Sequence, residues 1–122
     1  MRDPLTHEII GAAIAVSQGL GPGLLESVYE QCLAYELGKR QLKVLRQSVL
    51  PVLYDGLQMD LGFRPDLIVE DRVIVEIKTV KKTLPVHEAQ LLTYLRLAGI
   101  KTGLLLNFHS YPFKDGIKRM VF

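Results

Sequence analysis

The chain has 122 residues, 48% of them apolar, which is enough for one core and argues against disorder; one domain spanning residues 1–122 is expected. A net charge of +2 is too small to imply a nucleic-acid partner by itself. The lone cysteine, Cys32, excludes an intramolecular disulfide and a zinc or iron–sulfur ligand set. The opening Met1-Arg2-Asp3-Pro4 is not that of a signal peptide, and the longest apolar stretch, Ile9 to Val16, falls far short of the ~20 residues that span a bilayer. A cytoplasmic protein without membrane contact is expected.

Asp3-Pro4 reads as an N-cap followed by proline at the first helical position. Leu5, Ile9, Ile10, Ala13 and Val16 then suit one face of a helix, and Gly19 to Gly23 should stop it. A second helix is predicted from about Leu24 to Leu37, with Leu25, Val28, Tyr29, Cys32 and Leu33 at helical spacing and Gly38 as its stop. Leu42 to Tyr54 reads as one strand in which Pro51 marks an edge or a bulge. Asp55-Gly56 is a hairpin signal, followed by strands at about Gln58–Val69 and Arg72–Val80. Pro85 opens a third helix that Gly99 ends near Ala98, and Lys101–Phe108 is a strand apolar enough to be central. After a turn at Asp115-Gly116, Ile117 to Phe122 supplies a short last strand. The predicted order is ααβββαβ(β), an α/β fold with a mixed sheet flanked by helices.

Residues 65–78 carry the chemistry: Pro65-Asp66, nine residues, then Glu76-Ile77-Lys78. Alternation through Val73–Lys78 puts Glu76 and Lys78 on one face of a strand. A three-residue turn at Glu70-Asp71-Arg72 pairs Val69 with Val73, and therefore Asp66 with Glu76. A two-residue turn would put the two acids on opposite faces. Directly opposed like charges are destabilising, so the first register makes sense when a cation sits between them. A carboxylate pair suits a hard, oxygen-loving cation, and the lysine can orient the water such a cation activates or neutralise charge developing on a phosphate. Read blandly, the same residues are a hairpin with three exposed charges. Basic clusters at Lys78, Lys81 and Lys82, at Lys39, Arg40, Lys43 and Arg46, and at Lys114, Lys118 and Arg119 could follow a phosphate backbone or be solvated faces. His87 reads as a surface histidine in the first turn of the third helix, and His7 and His109 lack partner spacing and receive no role.

This hairpin within its order of elements resembles the PD-(D/E)XK nuclease superfamily. Gly23-Leu24-Leu25-Glu26-Ser27-Val28-Tyr29 resembles the motif that names the GxxExxY family, small prokaryotic proteins assigned to that superfamily. Gln90-Leu91-Leu92-Thr93-Tyr94 is similar to the Q-x-x-x-Y motif of its RecB-like branch. The resemblance spans about Leu5 to Val121. It implies a restriction-endonuclease-like αβββαβ core with an extra N-terminal helix. It further implies Asp66, Glu76, the Ile77 carbonyl and Glu26 as metal ligands, Lys78 as catalytic lysine, and Gln90 and Tyr94 near the scissile phosphate or the metal-site water. The cysteines that hold an iron–sulfur cluster in some RecB-like relatives are missing.

The expected function is a Mg2+- or Mn2+-dependent nuclease acting on DNA. A homodimer is expected as well, because cutting both strands needs two sites. The alternatives are a non-catalytic nucleic-acid- or protein-binding module that keeps the fold, and a hydrolase of another phosphate ester.

Overall fold

The computed structural model describes residues 3–122. Asp3 caps the first helix, α1 (Pro4–Leu20): its carboxylate accepts from the Leu5 N–H at 3.0 Å and the Thr6 hydroxyl at 2.7 Å. The helix buries Leu5, Ile9, Ala12, Ala13 and Val16 and runs through Gly19 before Gly21 ends it. The second helix, α2 (Glu26–Lys39), likewise outruns its expected stop by passing through Gly38, and Arg40 is its C-cap. A glycine inside a helix costs only about 1 kcal/mol, which packing of Leu33 and Leu37 readily exceeds.

The strand expected over Leu42–Tyr54 is two. A short β1 (Val44–Arg46) lies in the main sheet, and β2 (Leu50–Tyr54) leaves it. Gln47 breaks the run with a φ of +50°. The next expected strand is also divided, into β3 (Leu57–Phe63) and β4 (Leu67–Val69), because Pro65 has no N–H to donate to a ladder. Strands β2 and β3 form a separate two-stranded ribbon closed at Asp55-Gly56, both at positive φ. Its register shifts between Pro51 and Val52, the irregularity that the proline signals.

The main sheet has the order β1-β4-β5-β6-β7, where β5 is Val73–Lys78, β6 Thr102–Asn107 and β7 Ile117–Val121. A 3-10 turn, Phe113–Gly116, leads into β7. All pairs are antiparallel except β5–β6, which are parallel and joined through the third helix, α3 (Pro85–Ala98). The restriction-endonuclease-like core is therefore α2, β1, β4, β5, α3 and β6, with the ribbon inserted between β1 and β4.

Period-two alternation sorts β5 between two layers. Val73, Val75 and Ile77 pack with α1 and α2, while Ile74 packs with Leu91 and Leu95 of α3. Strands β4, β5 and β6 are covered on both faces, which explains their nearly continuous apolar sequences. At Gly103 an added Cβ would lie 2.9 Å from Leu91 Cδ1, so its absence lets α3 sit close on the sheet.

Candidate active site

The turn joining β4 to β5 has Glu70 and Asp71 both at positive φ, and it pairs Val69 with Val73, Ile68 with Ile74 and Leu67 with Val75. Continued one step, this register opposes Asp66 and Glu76. Two reciprocal hydrogen bonds fasten them. The Asp66 N–H donates to Glu76 Oε2 at 2.7 Å, and the Ile77 N–H donates to Asp66 Oδ2 at 2.8 Å. Each acid is thus held by the backbone of the strand that carries the other, which fixes both carboxylates at the open end of the hairpin.

Burial dominates the electrostatics. Glu76 is 5% exposed, and its pKa is pushed up to about 8, first by loss of water and then by the charge of Asp66. Asp66 is raised for the same first reason, against the opposing pull of the Ile77 N–H and the Gln47 amide. A carboxyl that keeps its proton near neutral pH marks a place where positive charge is wanted. Lys78, half-buried on the same face as Glu76, is the last residue of β5 and makes no ion pair among the described residues. Beyond it, the buried Asn107 pins the chain. Its Nδ2 donates to the Val80 carbonyl at 2.8 Å and its Oδ1 accepts from the Val80 N–H at 3.1 Å.

Helix α2 approaches from the other layer, and aromatic packing sets its position. The Tyr29 ring stacks on Phe108 at 4.7 Å, and Phe108 stacks on Phe113 at 4.8 Å. The Tyr29 hydroxyl donates to the Gly21 carbonyl at 2.6 Å and accepts from the Leu24 N–H at 3.1 Å. In Gly-x-x-Glu-x-x-Tyr, therefore, the tyrosine latches the glycine loop in front of the helix that begins with Glu26. Glu26 is exposed at that helix start. Partial burial raises its pKa, and neighbouring Lys78 lowers it. The charge of Asp66 also raises it. Leu25 is the N-cap.

On α3, Tyr94 stacks on Phe63 at 4.9 Å, and its phenol is raised by burial first and then by Glu76 and Asp66. Gln90, one turn earlier, is exposed and has no hydrogen bond to the acids. His87 serves the fold: its Nδ1 accepts from the Leu84 N–H at 2.9 Å at the start of α3. Among the described residues no three His, Cys, Asp or Glu side chains are gathered into a ready-made ligand set. Two clefts lie elsewhere, one of about 570 Å³ between α1 and Tyr111–Lys114 and one of about 350 Å³ beside Arg72 and Lys101.

Sequence reasoning missed Glu30, Gln47 and Asn107, and read Arg46 only as part of a basic cluster, whereas it pairs with Glu30. Glu30 carried a signal, since it is one helical turn from Glu26 and sits next to the core tyrosine. The other three are joined to the site by contacts distant in sequence, and no local pattern announces them.

The model of a family described as the PD-(D/E)XK nuclease superfamily matches residues 3–120. No curated protein matches the chain. Among solved structures, the crystal structure of SSO0001 is similar, with a TM-score of 0.54 at 24% identity over 94% of this chain, a likeness of fold. The chain spans 58% of that structure's length. With the opposed acids, the neighbouring lysine and a matched length that takes in nearly every element, this chain belongs to the PD-(D/E)XK nuclease superfamily.

Proposed function

We propose that the protein is a divalent-metal-dependent nuclease that hydrolyses phosphodiester bonds in DNA, and that it is a GxxExxY-type member of the superfamily's RecB-like branch. One observation carries the reading: a buried and a half-buried carboxylate, Glu76 and Asp66, opposed across a hairpin, with a lysine on the same face that makes no ion pair among the described residues. The donors fit Mg2+ or Mn2+, because they are oxygens only and because Glu76, buried and beside Asp66, keeps a proton where a cation would supply the positive charge instead. Asp66, Glu76 and the Ile77 carbonyl would hold the ion, with Glu26 completing the set from α2. When bound, the ion polarises the phosphate and acidifies a water.

The chain's own residues supply the rest. The reciprocal backbone bonds hold both carboxylates before substrate arrives, so little reorganisation is needed during reaction. Lys78 places its ammonium where charge grows on the phosphate oxygens. The Tyr94 phenol, its pKa raised, stays a hydrogen-bond donor toward that phosphate. Gln90 and the exposed Lys81 and Lys82 extend the surface along a nucleic-acid strand. Two copies would be needed to cut both strands, which favours a homodimer.

The test is cleavage of linear, circular and single-stranded DNA, with RNA alongside, in Mg2+ or Mn2+ and in chelator. Metal-dependent cleavage of DNA that Lys78→Ala abolishes is the expected result. No cleavage of any substrate with either metal would overturn the proposal. Cleavage of RNA alone would overturn its substrate.

A further inference from the structure

Gln47 grips Asp66 twice. Its main-chain N–H donates to the Asp66 carbonyl at 3.1 Å, and its Nε2 donates to Asp66 Oδ1 at 3.1 Å. The same Nε2 donates at 2.6 Å to Oε1 of Glu30, a glutamate buried on α2. Glu30 is fixed in turn, because its Oε2 accepts from Arg46 Nε at 3.3 Å and Nη2 at 3.2 Å. Arg46 ends β1, which pairs with β4, so the chain of bonds closes on itself: β1, α2, the Gln47 amide, and the residue entering β4. With Ile77 on Oδ2 and Gln47 on Oδ1, both Asp66 oxygens are held from opposite sides.

A second, independent observation concerns the backbone. Gln47 has a φ of +50°, in the left-handed region that non-glycine residues rarely occupy. No tight hairpin requires it there, since the chain is passing from the main sheet to the ribbon. A glycine would hold that conformation without strain but could supply no amide. Strain kept beside a catalytic group, in a residue that also bonds to it, is what a functional constraint produces.

We infer that Gln47 is a positioning residue for the proposed nuclease site: anchored by Glu30 and Arg46, it holds the Asp66 carboxylate in its metal-binding rotamer. The inference rests on the metal-site reading of Asp66. Gln47 itself touches neither metal nor phosphate.

Gln47→Gly separates positioning from structure, because it removes the amide and relieves the strain together. Three readouts apply to the full chain. Three-bond couplings in metal-free protein report the Asp66 χ1 angle, calorimetry with Mn2+ alone reports binding, and melting in chelator reports stability. The expected result is an Asp66 side chain that averages between rotamers, Mn2+ affinity at least tenfold weaker, and a melting temperature no lower than wild type. Gln47→Asn, which tolerates positive φ but carries a shorter amide, should fall between the two. An unchanged Asp66 rotamer with Mn2+ affinity within twofold of wild type would overturn the inference. If the rotamer depends on Gln47 but the wild type neither binds Mn2+ nor cleaves DNA, positioning stands and the nuclease reading falls.

Discussion

Two hairpins follow one another in this chain and have opposite fates. The β4–β5 hairpin is buried on both faces between α1–α2 and α3, and its strands are nearly free of exposed residues. The β2–β3 ribbon stands outside the sheet, with Leu53, Tyr54, Leu57 and Leu61 each at least 60% exposed. Both are apolar, and both turn on residues at positive φ. The difference is cover, and it decides chemistry. An acid on the covered hairpin, Glu76, is forced to keep its proton to about pH 8, whereas Asp60 on the ribbon is exposed to water. A carboxylate becomes a candidate ligand here because helices pack over the strand that carries it.

Breaking the comparison by charge should give the largest effect. Asp66→Asn or Glu76→Gln should lower metal-dependent cleavage by roughly 10²–10³ or more, the scale of losing a preorganised electrostatic group. Asp60→Asn should leave it within about twofold, as expected when no transition-state stabilisation is lost. Equal losses at all three positions, measured as initial rates on one DNA substrate, would show that cover does not matter.

Breaking it by volume comes next. Ile74→Ala opens a cavity in a fully buried position between β5 and α3, and should cost ~2–5 kcal/mol in denaturant unfolding. Leu61→Ala, at a side chain 86% exposed, should stay within ~0.5 kcal/mol. A large cost at Leu61 would mean the ribbon is covered in solution, and sedimentation would then show whether a second copy covers it.

The titration of Glu76 sharpens the comparison. Its folded pKa of about 8 lies above the 4.5 of an unperturbed glutamate, so the native state holds a proton that the unfolded chain has released. That stability is complete below pH 4.5 and is lost as pH rises toward 8, with Asp66 shifted in the same direction. Metal-free protein should therefore melt progressively lower from pH 5 to pH 8, by an amount on the order of a few kcal/mol. Glu76→Gln should flatten the trend. A melting temperature that rises over this range in the wild type would contradict the burial argument.

Glu26 gives the smallest expected effect, being exposed at the edge of the cluster. Glu26→Gln should slow cleavage about tenfold, ~1.4 kcal/mol of transition-state stabilisation, with melting in chelator unchanged. Cleavage at the wild-type rate would leave the site to Asp66, Glu76, Lys78 and the Gln90–Tyr94 helix.

Much of this was legible in the sequence, and for identifiable reasons. The Asp3-Pro4 start, Pro85 and Gly99 bound helices because caps and prolines act locally. The Asp66–Glu76 register followed from a turn length and a period of two, both local rules. The division at Gln47 was not legible, because alternating apolar residues look alike whether a strand stays in its sheet or leaves it, whereas Pro65 did mark a break that the single strand expected over Gln58–Val69 ran through. Nor was the Arg46–Glu30–Gln47 chain, whose members meet only when α2 packs beside β1.

The central claim is that a proton and a divalent cation compete for one place between Asp66 and Glu76. Calorimetric titration of the protein with Mn2+ at pH 7, repeated in buffers of different ionisation enthalpy, counts the protons released. About one proton per Mn2+ bound by the wild type, and close to none for Glu76→Gln, is the outcome the Glu76 pKa of about 8 dictates. Binding without proton release, or release unaltered in Glu76→Gln, would place the metal somewhere other than this hairpin.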